Sequence, residues 1–410
     1  MAATKKESWI NPILLLIFAI LCSHGASTST IRLGDELNST SQLVSESRNF
    51  TLGFFRIDDT NYSYIGIWYT NDDQRARAWV ANPNAPLGPL VTDSAVLTID
   101  NTTGKLVIAT EGRTIFNVSN QGTARGTTAT LEDSGNFVLR DEVENRILWQ
   151  SFDHPNNALL PGMKLGYNIT SGQNWSLISW LSDEIPANGA FSLSWDPERK
   201  QLVVRRRGEP YWSSGIFESQ KLHVNLDWSE YHYNLTTVDN AKEKYFAIGG
   251  INGPFPMWYL NPKGNILDNN DMYLSNPEFC YGYQSDIGCA ETGFPTCRRR
   301  NDMFKEKNGD FLPAQKTTIS SDYNSSLSLS DCMKNCWNNC NCVGFMNIGN
   351  GTGCQFWMGS NDFQISEQGS SGLKYVLVPK ISSKGMCVYI VPSILNPNLI
   401  LLPYFHPIYN

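Results

Sequence analysis

The sequence predicts a mainly β chain of several domains that ends in a small disulfide-stapled α+β module. Three observations predict it. Short apolar and aromatic runs recur through residues 31–275, broken by Asp, Asn, Gly and Pro, and none keeps a convincing 3.6-residue period. Aromatic residues make 12% of the chain beside 32 Gly and 20 Pro, a mixture suited to short strands and tight turns. Nine of the ten cysteines lie beyond residue 25, and five of them crowd into Cys332, Cys336, Cys340, Cys342 and Cys354. Thiols so dense are stable as cross-links in an oxidising compartment and a liability in the cytosol.

The N-terminus predicts export. Lys5 and Lys6 precede an unbroken apolar run at residues 13–21, and small residues follow at Ser23, Gly25 and Ala26. Residues 1–26 thus carry the order of parts of a signal peptide, too short to span a bilayer. A buried N-terminal helix would not account for those flanks. Cys22 and His24 leave with the signal. Ten Asn-x-Ser/Thr sequons fit the same routing: Asn38, Asn49, Asn61, Asn101, Asn117, Asn168, Asn174, Asn234, Asn324 and Asn350. Each predicts an exposed loop or strand edge open to a glycan. A net charge of −7 with 17% charged residues removes the electrostatic case for nucleic acid. The basic triplets Arg205, Arg206, Arg207 and Arg298, Arg299, Arg300 read as solvated strand-face or loop positions.

A length of 410 residues exceeds what one core serves, so two to four domains are expected. The first is all-β. Phe50-Thr51-Leu52-Gly53-Phe54-Phe55, Tyr64-Ile65-Gly66-Ile67-Trp68-Tyr69 and Ala78-Trp79-Val80-Ala81 are its clearest strands. An internal repeat follows, in which Leu97-Thr98-Ile99-Asp100 leads through Gly104 to Leu106-Val107-Ile108. About thirty residues on, Leu131-Glu132-Asp133 leads through Gly135 to Phe137-Val138-Leu139. Acid, glycine, then three apolar residues describes a hairpin entering a buried strand, repeated as blades or faces of one β assembly. Residues 175–275 repeat the style, with strands at 175–180, 191–195, 202–206, 231–235 and 257–260. Asp196-Pro197 and Asn252-Gly253-Pro254 punctuate them.

A helix is predicted only at residues 328–342. Ser328 with Asp331 three residues on is a capping signal. Cys332, Cys336 and Cys340 recur every four residues along one helical face, poorly placed to bridge one another. Residues 387–409 are apolar but interrupted by Pro392, Pro397, Pro403 and Pro407, each costing a helix about 3 kcal/mol in water. An unstructured end is expected there rather than a membrane span or a lipid-anchor signal.

The block Trp149-Gln150-Ser151-Phe152-Asp153-His154-Pro155, continuing Leu159-Leu160-Pro161-Gly162-Met163-Lys164-Leu165-Gly166, closely resembles the plant G-type lectin S-receptor-like kinases and the S-locus glycoproteins. Trp79-Val80-Ala81-Asn82, Asp133-Ser134-Gly135-Asn136-Phe137-Val138-Leu139 and Pro210-Tyr211-Trp212-Ser213-Ser214-Gly215 fit the same family, and the cysteine cluster matches its PAN/apple module. The resemblance, which covers about residues 30–380, implies a signal peptide at 1–26 and a bulb-type lectin domain at 28–150. It continues with an S-locus region and second lectin-like β-prism at 151–278. A reduced EGF-like segment at 279–296, a PAN/apple domain at 297–379 and an atypical tail at 380–410 complete the order.

Three departures shape the functional expectation. No kinase Gly-rich loop, catalytic loop or metal-binding triplet occurs, so the chain is expected to be a truncated or alternatively processed product, released rather than anchored. The EGF-like segment is reduced to Cys280 and Cys289. Eight cysteines allow 105 pairings; resemblance to the PAN module implies Cys332–Cys354, Cys336–Cys342 and Cys297–Cys340, leaving Cys280–Cys289. Cys387 is then odd and could bridge a homodimer. Spacing without paired C-x2-C elements argues against zinc, and no metal or cofactor is expected. Third, the mannose strand of bulb-type lectins, Gln-x-Asp-x-Asn-x-Val-x-Tyr, is degenerate. Leu131 replaces Gln, an extra residue precedes Asn136, and Arg140 replaces Tyr, leaving Asp133, Asn136 and Val138 as the candidate sugar-binding residues.

The expectation is a non-catalytic extracellular recognition glycoprotein of the apoplast. It would bind a peptide, a glycan or a related receptor-like kinase; a mannose lectin is the alternative. A further alternative is a truncated form of a membrane receptor kinase whose full-length product is the enzyme. Histidines His154, His223, His232 and His406 are scattered and suggest no triad or metal site.

Overall fold

Alternating burial builds the first module. In strand Ala95–Ile99 the side chains of Ala95, Leu97 and Ile99 are buried and those between are half-buried, the period of two of a strand with one face on a core. The computed structural model describes residues 28–379, apart from 58–60, 73–75, 124–125, 219–220, 223–232, 250–255, 276–278, 313–316 and 367–371. The expected signal peptide, the tail with Cys387, and His24, His223, His232 and His406 lie outside the described residues.

Residues 30–150 make three four-stranded antiparallel sheets. The first joins Gln42–Val44, Phe50–Ile57, Tyr62–Tyr69 and Arg77–Val80 in that order. A second joins Glu36–Asn38, Ala95–Ile99, Lys105–Thr110 and Arg113–Gly122. The third joins Thr30–Arg32, Thr127–Leu131, Phe137–Asp141 and Arg146–Gln150. Leu52 and Ile67, Leu97 and Ile108, and Leu131 and Leu139, a pair from each sheet, meet in one core. The sheets therefore stand as the three faces of a prism.

The internal repeat supplies two of those faces. Ile99 pairs with Leu106 in one sheet and Leu131 with Phe137 in another, each across a turn holding Gly104 or Gly135. Gly135 has φ +83°, and a Cβ there would lie 2.8 Å from both Phe50 and Leu160. No side chain fits that corner.

A second three-faced assembly follows. Its sheets are Ala158–Leu159 with Trp258–Leu260 and Ile266–Asp268; Asn174–Trp175 with Leu165–Asn168, Glu243–Gly249 and Asn234–Asp239; and Leu177–Trp180 with Asn188–Asp196, Gln201–Arg206 and Glu209–Ser213. Leu165, Phe246, Leu193, Val204 and Trp258 fill its interior, and they are continuous with the core of the first prism. Hydrogen bonds cross the seam. Trp79 Nε1 donates to the His154 carbonyl at 2.9 Å, and Tyr69 Oη to the Pro256 carbonyl at 2.9 Å. Close packing in one core couples the two prisms.

The segment after the second prism leans on its edge. Tyr211, buried, accepts from the Cys280 amide through its hydroxyl at 2.9 Å, and Trp212 Nε1 donates to the Ile287 carbonyl at 2.9 Å. The C-terminal module is a six-stranded sheet ordered Thr318–Asp322, Thr352–Met358, Cys342–Ile348, Leu373–Pro379, Asp302–Phe311, Phe363–Ile365. Helix Leu329–Asn338 packs on it through Cys332, Met333, Cys336 and Trp337, in a core with Phe304, Phe345 and Tyr375.

Two expectations are corrected here. The helix ends at Asn338, so Cys340 lies beyond it rather than on its cysteine face. Its last carbonyls are taken by a side chain from outside: the Arg298 guanidinium donates to the carbonyls of Cys336, Trp337, Asn339 and Cys342 at 2.7–3.0 Å. The basic triplets are not uniformly solvated. Arg298 is only 5% exposed, because it satisfies helix-end carbonyls that would otherwise be buried without partners. Arg206 and Arg207 both turn onto Asp331, at 2.5 and 2.6 Å.

Candidate functional site

The residues of the degenerate sugar strand do not converge on an open surface. Asp133 sits in the turn between Thr127–Leu131 and Phe137–Asp141, and its carboxylate accepts from the Ser47 amide and hydroxyl, both at 2.7 Å. Those bonds hold its pKa below the usual carboxylate range. Asn136 is buried and its amide is fully engaged. Nδ2 donates to Gln150 Oε1 at 2.9 Å, while Oδ1 accepts from the Ser151 hydroxyl and the Phe152 amide at 3.2 Å. Val138 is 2% exposed, with no face free for a sugar ring. Arg140, where the motif has Tyr, lies 4.0 Å from Glu132. These residues tie a turn and a core strand together.

The sequons fall differently. All but Asn168 are exposed. Asn168 is half-buried, and its amide is engaged: Oδ1 accepts from the amides of Thr170 and Ser171, and Nδ2 donates to Glu243. The eight described cysteines form the disulfides Cys280–Cys289, Cys297–Cys340, Cys332–Cys354 and Cys336–Cys342. Among the described residues no group of three or more His, Cys, Asp and Glu could hold a metal ion. His154 stacks on Trp149, centroids 5.4 Å apart; burial lowers its pKa, against the pull of Asp153.

A concave site opens between the prisms, a cleft of about 570 Å³. The first prism contributes Phe55 and Arg77, whose guanidinium lies 4.3 Å over the Phe55 ring. The second contributes Trp180, Tyr259 and a rim of Asp183, Glu184, Asn269 and Asp271. Tyr259 donates its hydroxyl hydrogen to Asp271. Asp183 reaches solvent at the rim, yet its pKa is raised. Removal of water by the cleft walls is the main cause, and the like charges of Glu306 and Asp271 add to it against the pull of Lys263. Spacing along the chain could not reveal this cleft, since its walls run from residue 55 to residue 271.

A D-mannose binding lectin profile matches residues 76–181, and a PAN-like domain profile matches residues 297–361. The S-locus-specific glycoprotein S6 of Brassica oleracea is 30% identical over 85% of this chain and 90% of its own length. The chain belongs to the S-locus glycoprotein family. Within that family's wider kin, the G-type lectin S-receptor-like serine/threonine-protein kinase CES101 of Arabidopsis thaliana is 31% identical over 85% of this chain and 46% of the kinase. The chain spans about half the length of the curated receptor kinases it matches. Among solved structures, the Japanese Marasmius oreades lectin matches at 17% identity and a TM-score of 0.23, over 31% of this chain and 92% of its own. The lectin and PAN-like modules found in this family member are non-catalytic recognition modules, and no kinase domain is among the matches. No helix among the described residues is long and apolar enough to cross a membrane.

Proposed function

We propose that this chain is a non-catalytic extracellular recognition glycoprotein that binds an extracellular ligand or a related receptor-like kinase through its prism pair. One observation carries the reading. Two prisms share a continuous core, and a PAN-like module is stapled by disulfides that only an oxidising compartment maintains. A rigid scaffold with variable loops suits recognition. Export to the apoplast through residues 1–26 and glycosylation of the sequons, the nine exposed ones before the engaged Asn168, belong to the same proposal.

Expression of the full chain in plant cells, with recovery from apoplastic fluid and binding assays against wall-derived glycans, secreted peptides and full-length relatives, tests it. Recovery outside the cell as a glycosylated binder is expected. A cytosolic, unglycosylated product with free thiols overturns it.

The lectin profile match favours a second reading, mannose binding along Phe137–Asp141. The geometry opposes it, since Asp133 and Asn136 already spend their polar atoms within the fold. Calorimetric titration with methyl mannoside decides. Binding abolished by Asp133→Ala revives it.

A further inference from the structure

We propose that the cleft between the prisms is a binding site for an uncharged oligosaccharide of a few pyranose rings, separate from the degenerate mannose strand. The proposal rests on the reading of the chain as a recognition protein and names the chemistry of one of its sites.

The size suits a small ligand: about 570 Å³ falls within the roughly 300–1,000 Å³ of such sites. The walls have the two characters a pyranose requires. Trp180 and Tyr259 supply flat apolar surface, which packs on the C–H faces of a sugar ring as it does on other apolar groups. Around that surface, acceptors stand beside the donors Arg56, Arg77 and Trp180 Nε1, the last buried with no partner among the described residues. Asp183, Glu184 and Asp271 carry carboxylates, and Asn269 Oδ1 is buried and accepts no hydrogen bond from the described residues. A buried acceptor left open calls for a donor, and a ring of acceptors matches a ligand whose every hydroxyl can donate.

The same carboxylates set a charge rule. Asp183 is already partly dehydrated by the cleft walls, and the like charges of Glu306 and Asp271 act on it against the pull of Lys263. A uronate would add another negative charge in a partly dehydrated cleft, where repulsion is stronger than in water. Anionic wall fragments are excluded and neutral ones admitted. The two guanidiniums of the lining do not reverse the balance, because Arg77 is stacked over Phe55 and Trp68, at 4.3 and 4.8 Å, and Arg56 is paired with Asp93 at 3.0 Å.

The floor is anchored from two directions. Trp180 packs against the cluster of Phe55, Tyr64 and Val80 on the first prism. From the C-terminal module, the Asn350 carbonyl accepts from the Ser182 hydroxyl at 2.9 Å, fixing the segment that carries Asp183 and Glu184. Gly351, at φ +80°, lies so close to Ser182 that a Cβ would fall 2.6 Å from it. The rim is thus positioned before any ligand arrives, which lowers the cost of binding.

The test uses the full secreted chain and three probe series: neutral cello-, xylo- and manno-oligosaccharides of two to four residues, oligogalacturonides of the same lengths, and methyl mannoside. Calorimetry and tryptophan fluorescence report binding. At least one neutral series is expected to bind, with oligogalacturonides at least about tenfold weaker. Trp180→Ala should weaken the neutral probe by about tenfold or more. Because Trp180 also packs on the first prism, a second variant is included: Asp183→Asn with Glu184→Gln, both exposed, should fold normally. It should reduce discrimination against oligogalacturonides while Asp133→Ala leaves affinity unchanged. No binding by any neutral series at millimolar concentration, or binding indifferent to both cleft variants, overturns the proposal. If the wild type then still binds a receptor relative or a peptide, the recognition reading stands and only the cleft assignment fails.

Discussion

Asp331 is the side chain on which most depends. Its carboxylate accepts from the Ser328 amide and hydroxyl at 2.9 Å, opening the helix Leu329–Asn338, and also receives Arg206 and Arg207 of the second prism. Burial pushes its pKa up, but Arg207, Ser328 and Arg206 together outweigh that and hold it below the ordinary range. A depressed carboxylate contributes its stability above the unfolded pKa of about 3.9 and loses it as pH falls through the lower folded value. Asp331→Asn is therefore expected to cost about 2 kcal/mol near neutrality, since Arg206 and half-exposed Arg207 lose their carboxylate and keep only the Ser330 hydroxyl and the Ser326 carbonyl. Urea denaturation should give the same loss at pH 6 as at pH 7, and a shrinking one as pH falls below about 4. A loss that grew on acidification would contradict the assignment. Arg298 plays the matching part at the other end of that helix. Arg298→Met should cost about 2–3 kcal/mol by leaving buried carbonyls unpaired, and far-UV circular dichroism should show helix lost ahead of strand. None of these arginines was legible in the sequence. Arg206 and Arg207 meet a partner 124 or more residues away, and a triplet of cations in a polar stretch looks the same whether solvated or clamped.

At the scale of elements, strands were the most legible because short apolar and aromatic runs end at turn residues. Ala78, Trp79 and Val80 in the predicted run 78–81 are buried within Arg77–Val80, and the Leu97 and Leu131 repeats became matching hairpins of two faces. The helix was legible at its start, through Ser328 and Asp331, and not at its end, because the four-residue cysteine spacing continues past Asn338 while Arg298 caps the helix there. Spacing alone could not pair the cysteines; only the resemblance to the PAN module chose a pattern. The bridges differ in span and access. Separations of 43, 22 and 6 residues for Cys297–Cys340, Cys332–Cys354 and Cys336–Cys342 correspond to roughly 4, 3 and 2 kcal/mol of chain-entropy stabilisation. Double Cys→Ala variants should follow that order in denaturant midpoint. Access runs separately: Cys297 and Cys340 are exposed, whereas Cys332, Cys336, Cys342 and Cys354 are fully buried. Mild reduction followed by alkylation and mass spectrometry should label Cys297 and Cys340 first. Simultaneous labelling of all three pairs would mean the module opens as a unit.

Over the whole molecule, covalent and non-covalent cohesion are separated along the chain. All four disulfides among the described residues lie at or beyond Cys280, while the paired prisms are held by apolar packing and hydrogen bonds. Heating under reducing conditions should therefore split unfolding into two steps. An early one would belong to the C-terminal module, and a later one, reported by buried Trp79, Trp149 and Trp258, to the prisms. One merged transition, unchanged by reductant, would show the modules to be obligately coupled. The cleft is a property of this scale. It exists only where two prisms meet, and the segments that line it give no local sign of one another.

The shared grip of Arg206 and Arg207 on Asp331 sets a rule for chimeras. An engineer who transplants the C-terminal module onto prisms from a relative must bring the arginine pair along with the aspartate. Left behind, they would deprive the graft of its docking partner and leave a bare anion at the first turn of its helix.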